Sequence, residues 1–373
     1  MLNAGSSSLK FALTEPEPRR HLVRGRVERI GDPGAFLVLN GRRQHLSAKD
    51  HEEALEGALR AAGIEAVDAV GHRVVHGGTI TAPQRVDEAL ITTIRDLIPF
   101  APLHNPANLA GILAARKRFP GVPQVAVFDT AFHQTMPEVA YRYALPASAS
   151  RYRRFGFHGI SHAYVAEEAA RALDKPLEAL RLITLHLGNG ASATAVKGGK
   201  SVDTSMGYTP LEGLVMGTRA GDLDPGVVLA LARELGVEGA ERLLNKESGL
   251  LGLSGLSNDL RDLHRAASAG DARARLALSV YAYRIKKYVG AYLAVLGGAE
   301  GIVFTGGVGE NDPWVRAQAL SGLEALGIRL DPKKNAAGAR FIHAPDSRVK
   351  VLVIPTDEEL KIALETYRLL KGR

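Results

Sequence analysis

The stretch Leu182-Ile183-Thr184-Leu185-His186-Leu187-Gly188-Asn189-Gly190-Ala191-Ser192 reads as an apolar strand, then a Gly/Asn turn, then a second apolar run, Ala193–Val196. A six-residue run with five aliphatic or β-branched members, bounded by a turn, suits a strand buried on both faces. An echo lies near the start of the chain, where Asn3-Ala4-Gly5-Ser6-Ser7-Ser8 leads into Leu9–Leu13. Two hairpin turns of like composition, one per half, predict a duplicated domain. The same strand design recurs in Ala69–Val75, Gln124–Asp129, Gly301–Thr305 and Val349–Ile354.

Helical patterns separate these strands. Asn105-Pro106 predicts an N-cap followed by Pro at the first helical position. Ser161 is positioned to cap the segment through Leu173, and Thr356-Asp357-Glu358-Glu359 has capping-box spacing. Asp271–Leu296 predicts a long helix, apolar along Leu276, Val280, Ile285 and Leu293. Asn40-Gly41, between Phe36–Leu39 and Arg42–Leu46, is a hairpin signal that places antiparallel strands before the first helix. Strands alternating with helices make an α/β protein.

The 373 residues suit two or three domains, and 46% apolar with 23% charged residues excludes a disordered or fibrous chain. The absence of cysteine excludes disulfides, thiolate metal sites and thiol nucleophiles. Net charge is +7, with pI ≈ 9.5. The basic residues form scattered pairs such as Arg19-Arg20 and Lys286-Lys287, with no basic run or zinc-finger spacing, so no nucleic acid is expected as a partner. The apolar run Tyr288–Ala299 is too short to span a bilayer, and no secretion signal opens the sequence. The expectation is a cytoplasmic protein without a membrane partner.

Three Gly-rich turns carry the chemistry: Asn3–Ser8, Leu187–Ser192 and Thr305-Gly306-Gly307-Val308-Gly309-Glu310-Asn311. Glycine lets the backbone approach a phosphate, whose oxygens amides and Ser or Asn side chains can cradle. Arg73 and Arg219 sit among glycines and apolar residues, where a guanidinium needs an anion. That anion is a ligand or a carboxylate such as Asp129 or Asp222. Of the clustered histidines, His158 is the best donor to an oxyanion. Asp129, just past a strand, and Glu358, in a first helical turn, are candidates to hold Mg²⁺ or its waters.

Taken together, Asn3–Lys10, Gly71–Gly78, Ala101–Pro106, Phe128–Pro137, Arg154–His162, His186–Ser192, Asp203–Pro225, Phe304–Asn311 and Pro355–Leu360 resemble the acetate kinase (acetokinase) family, in that family's order. Met206–Arg219 is the most distinctive segment. The resemblance implies two duplicated ribonuclease H-like (actin/Hsp70-type) α/β domains around a nucleotide cleft. It implies domain I over 1–131 plus 359–373 and a nucleotide-binding domain II over 132–358. The implied reaction is reversible, direct in-line transfer of the ATP γ-phosphoryl to acetate, giving acetyl phosphate and ADP. Mg²⁺ is the implied cofactor, with Mn²⁺ as a substitute, in a homodimer.

By the same resemblance Asp129, Arg73, His158 and Arg219 are catalytic, His158 and Arg219 stabilise the transition state, and Asn3 and Glu358 serve the metal. His104 and Asn189 flank that centre. Acetate is assigned to Arg73, Val75, Leu103, Phe157 and Pro210. The nucleotide is assigned to Lys10, His186, Leu187, Gly188, Asn189, Gly190, Asp259, Leu260, Arg261, Gly307, Val308 and Asn311. The acceptor is already an anion at neutral pH, so the chemistry asks for positive charge and alignment rather than a general base.

The family has several apolar residues ahead of its Asn3 motif, where this sequence has Met1-Leu2, so the expectation is an abbreviated first strand or a start upstream. The chain is also short for the family, with Arg19–Gln44 the expected site of trimming. Alternatives are a propionate or other short-chain carboxylate kinase and an actin- or Hsp70-like ATP-driven binding protein, for which no peptide-binding domain follows Glu358.

Overall fold

A computed structural model describes residues 1–102 and 104–372. The chain divides into two compact units, Met1–Gln134 with Asp357–Arg373, and Thr135–Thr356. The sequence expectation set these divisions at 131/132 and 358/359.

The first unit begins with β1 (Leu2–Gly5), β2 (Ser8–Glu15), β3 (Arg20–Glu28), β4 (Phe36–Leu39) and β5 (Arg42–His45), joined as antiparallel neighbours. Helix α1 (His51–Ala62) leads to β6 (Val70–Val74), β7 (Gln84–Arg85), α2 (Glu88–Asp96), α3 (Asn105–Arg118) and β8 (Gln124–Phe128). The second unit holds α4 (Glu138–Tyr141), α5 (Gly159–Leu173), β9 (Arg181–Leu187), β10 (Ala191–Lys197) and β11 (Lys200–Thr204). It continues through α6 (Pro225–Lys246), α7 (Gly249–Ser254), α8 (Leu260–Ser268), α9 (Ala272–Leu296), β12 (Gly301–Thr305), α10 (Gly306–Asn311), α11 (Pro313–Leu320), α12 (Pro332–Ala336) and β13 (Lys350–Val353). The chain then returns to the first unit as α13 (Glu358–Lys371).

The duplication is visible in strand order. The first sheet runs β5-β4-β3-β2-β1-β6-β8-β7 and the second β11-β10-β9-β12-β13. Each contains a strand paired antiparallel into its hairpin on one side and parallel to later strands on the other: β1 with β2 and β6, and β9 with β10 and β12. The two echoing turns close equivalent hairpins, Gly5 opposite Ser8 and Leu187 opposite Ala191. Parallel strands covered on both faces need apolar residues throughout. Accordingly Leu182, Ile183 and Leu185 of β9 and Ile302, Val303 and Phe304 of β12 are fully buried.

Helix starts depart from the sequence reading in a consistent way. His104 is the N-cap of α3 in place of Asn105, whose buried side chain instead accepts from His76 N–H and donates to His76 C=O, both at 3.1 Å. His158, in the left-handed region at φ 58°, caps α5 in place of Ser161, whose hydroxyl bonds His186 Nδ1 at 2.8 Å. Asp357 rather than Thr356 caps α13, accepting from Leu360 N–H at 2.8 Å. In all three, a polar side chain is taken by a neighbouring segment, a tertiary demand that outbids the local cap. On α9 the expected face is also displaced: Leu276 is exposed, and Leu278, Tyr281, Ile285, Val289 and Tyr292 form the buried side.

Two histidines of the first unit are buried away from water. His72 Nε2 on β6 donates to Gln124 Oε1 at 2.7 Å, and His76 packs on Phe100 with ring centroids 5.4 Å apart. Burial pulls both down to about 4 from the usual 6.5. With the folded value below the unfolded one, stability is fully present above pH 6.5 and is lost as pH falls towards 4, on the order of 3 kcal/mol per histidine. Urea unfolding between pH 7.5 and 4.5 should show a steadily falling midpoint, and a flat profile would remove this account.

Candidate active site

In the first unit β6 and β8 lie side by side in parallel, with Val74 opposite Phe128, so Arg73 near one strand end and Asp129 just past the other fall together. Arg73 Nη2 donates to Asp129 Oδ2 at 2.5 Å, and Nε reaches both carboxylate oxygens at 3.1–3.2 Å. This forked contact is an ion pair. Burial works against the Arg73 charge, but Asp129 and Glu358 more than offset it and hold the guanidinium above its ordinary value. Burial likewise pushes the Asp129 carboxyl up, against the pull of Arg73. Asn3 Oδ1, from the first hairpin, accepts weakly from Arg73 Nη1 at 3.5 Å.

Glu358, in the first turn of α13, and His104 act on Asp129 through their charges, which places both in this cluster. The Oε1 of Glu358 is buried without a hydrogen-bond partner among the described residues. Val75 is buried next to Arg73, its N–H bonded to Asn108 Oδ1 at 2.9 Å. Leu103 lies outside the described residues. Lys10 stands opposite Asn3 in the β1–β2 hairpin with an exposed side chain.

The second unit gathers a different set around the β9–β10 turn. A Cβ built on Gly190 would lie 3.5 Å from His158 Cε1 and 3.6 Å from both Arg219 terminal nitrogens, so turn, imidazole and guanidinium converge. Arg219 donates to Pro210 C=O at 3.0 Å and meets no carboxylate among the described residues. Burial pulls its pKa below the ordinary value. A desolvated guanidinium without an anion is a site for one.

His158 Nδ1 is 2.9 Å from Ser192 Oγ, Ser192 Oγ is 2.7 Å from His162 Nε2, and His162 Nδ1 is 2.7 Å from Thr184 Oγ1. Run from Thr184 towards His158, each hydroxyl donating to the next ring, this chain makes Nδ1 of His158 the acceptor and puts an N–H on its Nε2. The His158-x3-His162 spacing, readable as a weak metal pattern, is thus the spacing of a relay on one face of α5. His186 stacks on His158 with centroids 4.3 Å apart.

Asn189 is held at both ends. Its C=O accepts from Gly217 N–H, and its Oδ1 accepts from Asn258, each at 2.9 Å. A Cβ on Gly217 would fall 2.1 Å from that Oδ1, so only glycine admits this approach. Asp259 and Arg261 form an exposed forked pair, 2.6 Å at its shortest. Leu187 and Leu260 are buried and offer only backbone to a ligand. Gly307 is exposed, its C=O accepting from Asn311 Nδ2 at 2.9 Å, with Val308 half-buried beside it. Phe157 is buried and Pro210 half-buried.

Sequence reading overlooked Ser192, His162 and Asn258, and also Arg154. Arg154 donates to the carbonyls of Thr204, Ser205 and Met206 and to Glu212 Oε1 at 2.5 Å, fastening the start of the Met206–Arg219 segment. Its place between Arg153 and Phe155-Gly156 was the available signal.

The family profile of the acetokinase family matches residues 1–364. An acetate kinase of Thermotoga maritima is 51% identical over 395 aligned positions, covering 100% of this chain and 98% of the relative. The crystal structure of Porphyromonas gingivalis acetate kinase superposes with TM-score 0.92 at 46% identity, covering 99% of this chain and 98% of that one. A propionate kinase from Francisella tularensis superposes with TM-score 0.93 at 42% identity, over 98% of each chain. Matched nearly end to end in sequence and in backbone, the chain belongs to the acetokinase family.

Proposed function

We propose that the chain reversibly transfers the γ-phosphoryl group of ATP to acetate, giving acetyl phosphate and ADP by direct in-line transfer. The observation that carries the mechanism is Arg219, a half-buried guanidinium without a carboxylate among the described residues, converging on Gly190 and His158. Transfer between two anions is limited by their repulsion and by charge spreading over the equatorial oxygens, which fixed cations and donors relieve. Arg219 supplies the cation and His158 Nε2–H a hydrogen-bond donor, with the ring oriented by Ser192 and His162. Asn189, Gly190, Gly188, His186, Gly307, Val308, Asn311, Asp259 and Arg261 are the nucleotide contacts of this reading, with backbone from Leu187 and Leu260 and a cation from Lys10.

Arg73 has a different part from Arg219 because Asp129 already occupies its fork. It aligns the acetate carboxylate with the donors left on Nη1, and this reading assigns the methyl group to Val75, Leu103, Phe157 and Pro210. The donor set also fits Mg²⁺. The unpartnered buried Oε1 of Glu358, with Asn3 and Asp129 near, suits an ion that keeps several waters and takes only one or two protein oxygens. Bound there, the ion neutralises phosphate charge, and Mn²⁺ has the same preference for oxygen.

Propionate is the second reading, supported by the likeness to a propionate kinase. An added methylene is worth only about 1–3 kcal/mol in an apolar pocket. A homodimer is part of the proposal, as α6 leaves Leu229 57% and Val237 76% exposed. The reading places the enzyme in the cytoplasm, where its ATP is.

Comparing kcat/KM for acetate, propionate and butyrate in a coupled assay tests the activity. Acetate should lead, and a clear preference for propionate would replace it. Arg219→Ala should lower kcat by about 10²–10³ with an unchanged Tm. Arg73→Ala should instead cost about 3–5 kcal/mol of stability, because it strands the buried Asp129 carboxylate. Equal Tm losses in the two variants would contradict the division of roles. Glu358→Gln should raise the Mg²⁺ concentration needed for half-maximal rate, and an unchanged Mg²⁺ titration would remove it from the metal.

A further inference from the structure

Three neighbouring strands of the second sheet, β9, β12 and β13, end beside the Gly-rich turn Thr305–Asn311. The parallel ladder between β12 and β13 pairs Phe304 with Val353, and Ile354 N–H donates to Phe304 C=O at 3.0 Å. In that register the next donor from the β13 side is Thr356 N–H, which would meet Gly306 C=O. Gly306 has already turned away, with φ 77°, and lies so close to the end of β9 that a Cβ would stand 2.7 Å from Leu187 C=O. The amides of Gly306 and Thr356 therefore need a partner from outside the ladder.

One carboxylate meets both. Glu310, one turn further along α10, folds back so that its Oε1 accepts from Gly306 N–H at 2.9 Å and Thr356 N–H at 3.1 Å. The same oxygen accepts weakly from the Thr305 hydroxyl at 3.4 Å. The Thr356 hydroxyl is 2.8 Å from Ser161 Oγ, which is 2.8 Å from His186 Nδ1 on β9. The ends of all three strands are thus joined through Glu310, and every group in the chain of contacts belongs to the second unit. The backbone of α10 is held from its other end, where buried Arg316 Nη1 donates to the carbonyls of Gly309 and Glu310 at 2.9 and 3.0 Å. Between these fastenings Gly307 and Asn311 are exposed and Val308 is half-buried. A helix of six residues has too few backbone bonds to fix its own shape, so the side-chain ties decide how those residues are presented.

We propose that Glu310 is a positioning residue for the nucleotide, setting the arrangement in which Gly307, Val308 and Asn311 meet it. The inference rests on the reading above that these three residues contact the nucleotide. Glu310 supplies an acceptor oxygen at the right reach, and among the described residues it has no cation as a partner.

Reach and charge are separated by three variants of the full chain, measured by calorimetric titration with ADP and by steady-state kinetics. Glu310→Gln keeps the acceptor oxygen and its reach, and should bind ADP within about threefold of the unaltered chain. Glu310→Asp keeps the charge but is one methylene short, and Glu310→Ala removes the acceptor. Both should bind ADP about tenfold more weakly and raise KM for ATP, with KM for acetate unchanged. If Glu310→Ala fails to fold, the Gln and Asp pair decides. Weak binding by Glu310→Gln beside full binding by Glu310→Asp is the signature of charge and would overturn the proposal. A lowered Tm with unchanged ADP affinity in Glu310→Asp is the signature of a purely structural tie and would overturn it too. An unaltered chain that does not bind ADP would remove the nucleotide reading and this proposal together, whereas tight binding by the unaltered chain and by all three variants would remove this proposal alone.

Discussion

Arg219 is a half-buried guanidinium with no carboxylate to meet it among the described residues, and much of the second unit holds the segment that carries it. An unpaired buried cation is unfavourable, so the surrounding backbone must be rigid enough that it can neither swing out nor draw in an acid. The segment leading to it is accordingly tied at several points. Arg154 and Glu212 clamp its start, and Tyr143 donates to Glu212. Asp222 accepts from Gly213 N–H at 2.9 Å while Tyr288 donates to Asp222 at 2.8 Å. At Gly213 the backbone takes φ 109°, and a Cβ would stand 2.6 Å from Ser205 C=O, so no other residue lets the loop fold back that closely. Every nearby carboxylate thus has a partner other than Arg219.

The architecture was largely legible because it rests on short-range signals. Each expected strand among Ala69–Val75, Gln124–Asp129, Leu182–Leu187, Gly301–Thr305 and Val349–Ile354 matches an observed one to within a residue at either end, since an apolar run between turns has few other uses in a chain of this kind. The hairpin at Asn40-Gly41 joins β4 to β5 as its turn residues dictate. What failed was the assignment of single polar groups. Asn105, Ser161 and Thr356 each look like caps locally, yet each bonds a distant segment: His76, His186 and, for Thr356 N–H, Glu310. Spacing along the chain does not contain those partners. The exposed Leu276 has the same cause, as α9 is turned by what packs against it rather than by its own pattern.

The site shows the same division. Motifs nominated the candidate residues, and geometry distinguishes their surroundings. Arg73 and Arg219 are alike in sequence, each an arginine among glycines, and the open choice between a ligand and a carboxylate as the anion resolves differently for each. Parallel pairing of β6 with β8 delivers Asp129 to Arg73, whereas the loop before Gly221 keeps Asp222 turned to Gly213 and Tyr288. His158 and His162 resemble a metal pair until Ser192 is seen between them.

The two clusters consequently carry opposite charge, which bears on what each can hold. In the first unit the Arg73 charge is cancelled by Asp129, and Glu358 leaves one negative charge over, with a buried oxygen unpartnered. In the second, Arg219 leaves one positive charge over near the stacked rings of His158 and His186. A divalent cation is drawn to the first arrangement and repelled by the second, and phosphate oxygens behave in the converse way. Duplication supplied two copies of one hairpin-and-parallel-strand scaffold. The arginine gathered beside each meets a different partner, Asp129 for Arg73 and the Pro210 carbonyl for Arg219, so the two units present different charge near their hairpins.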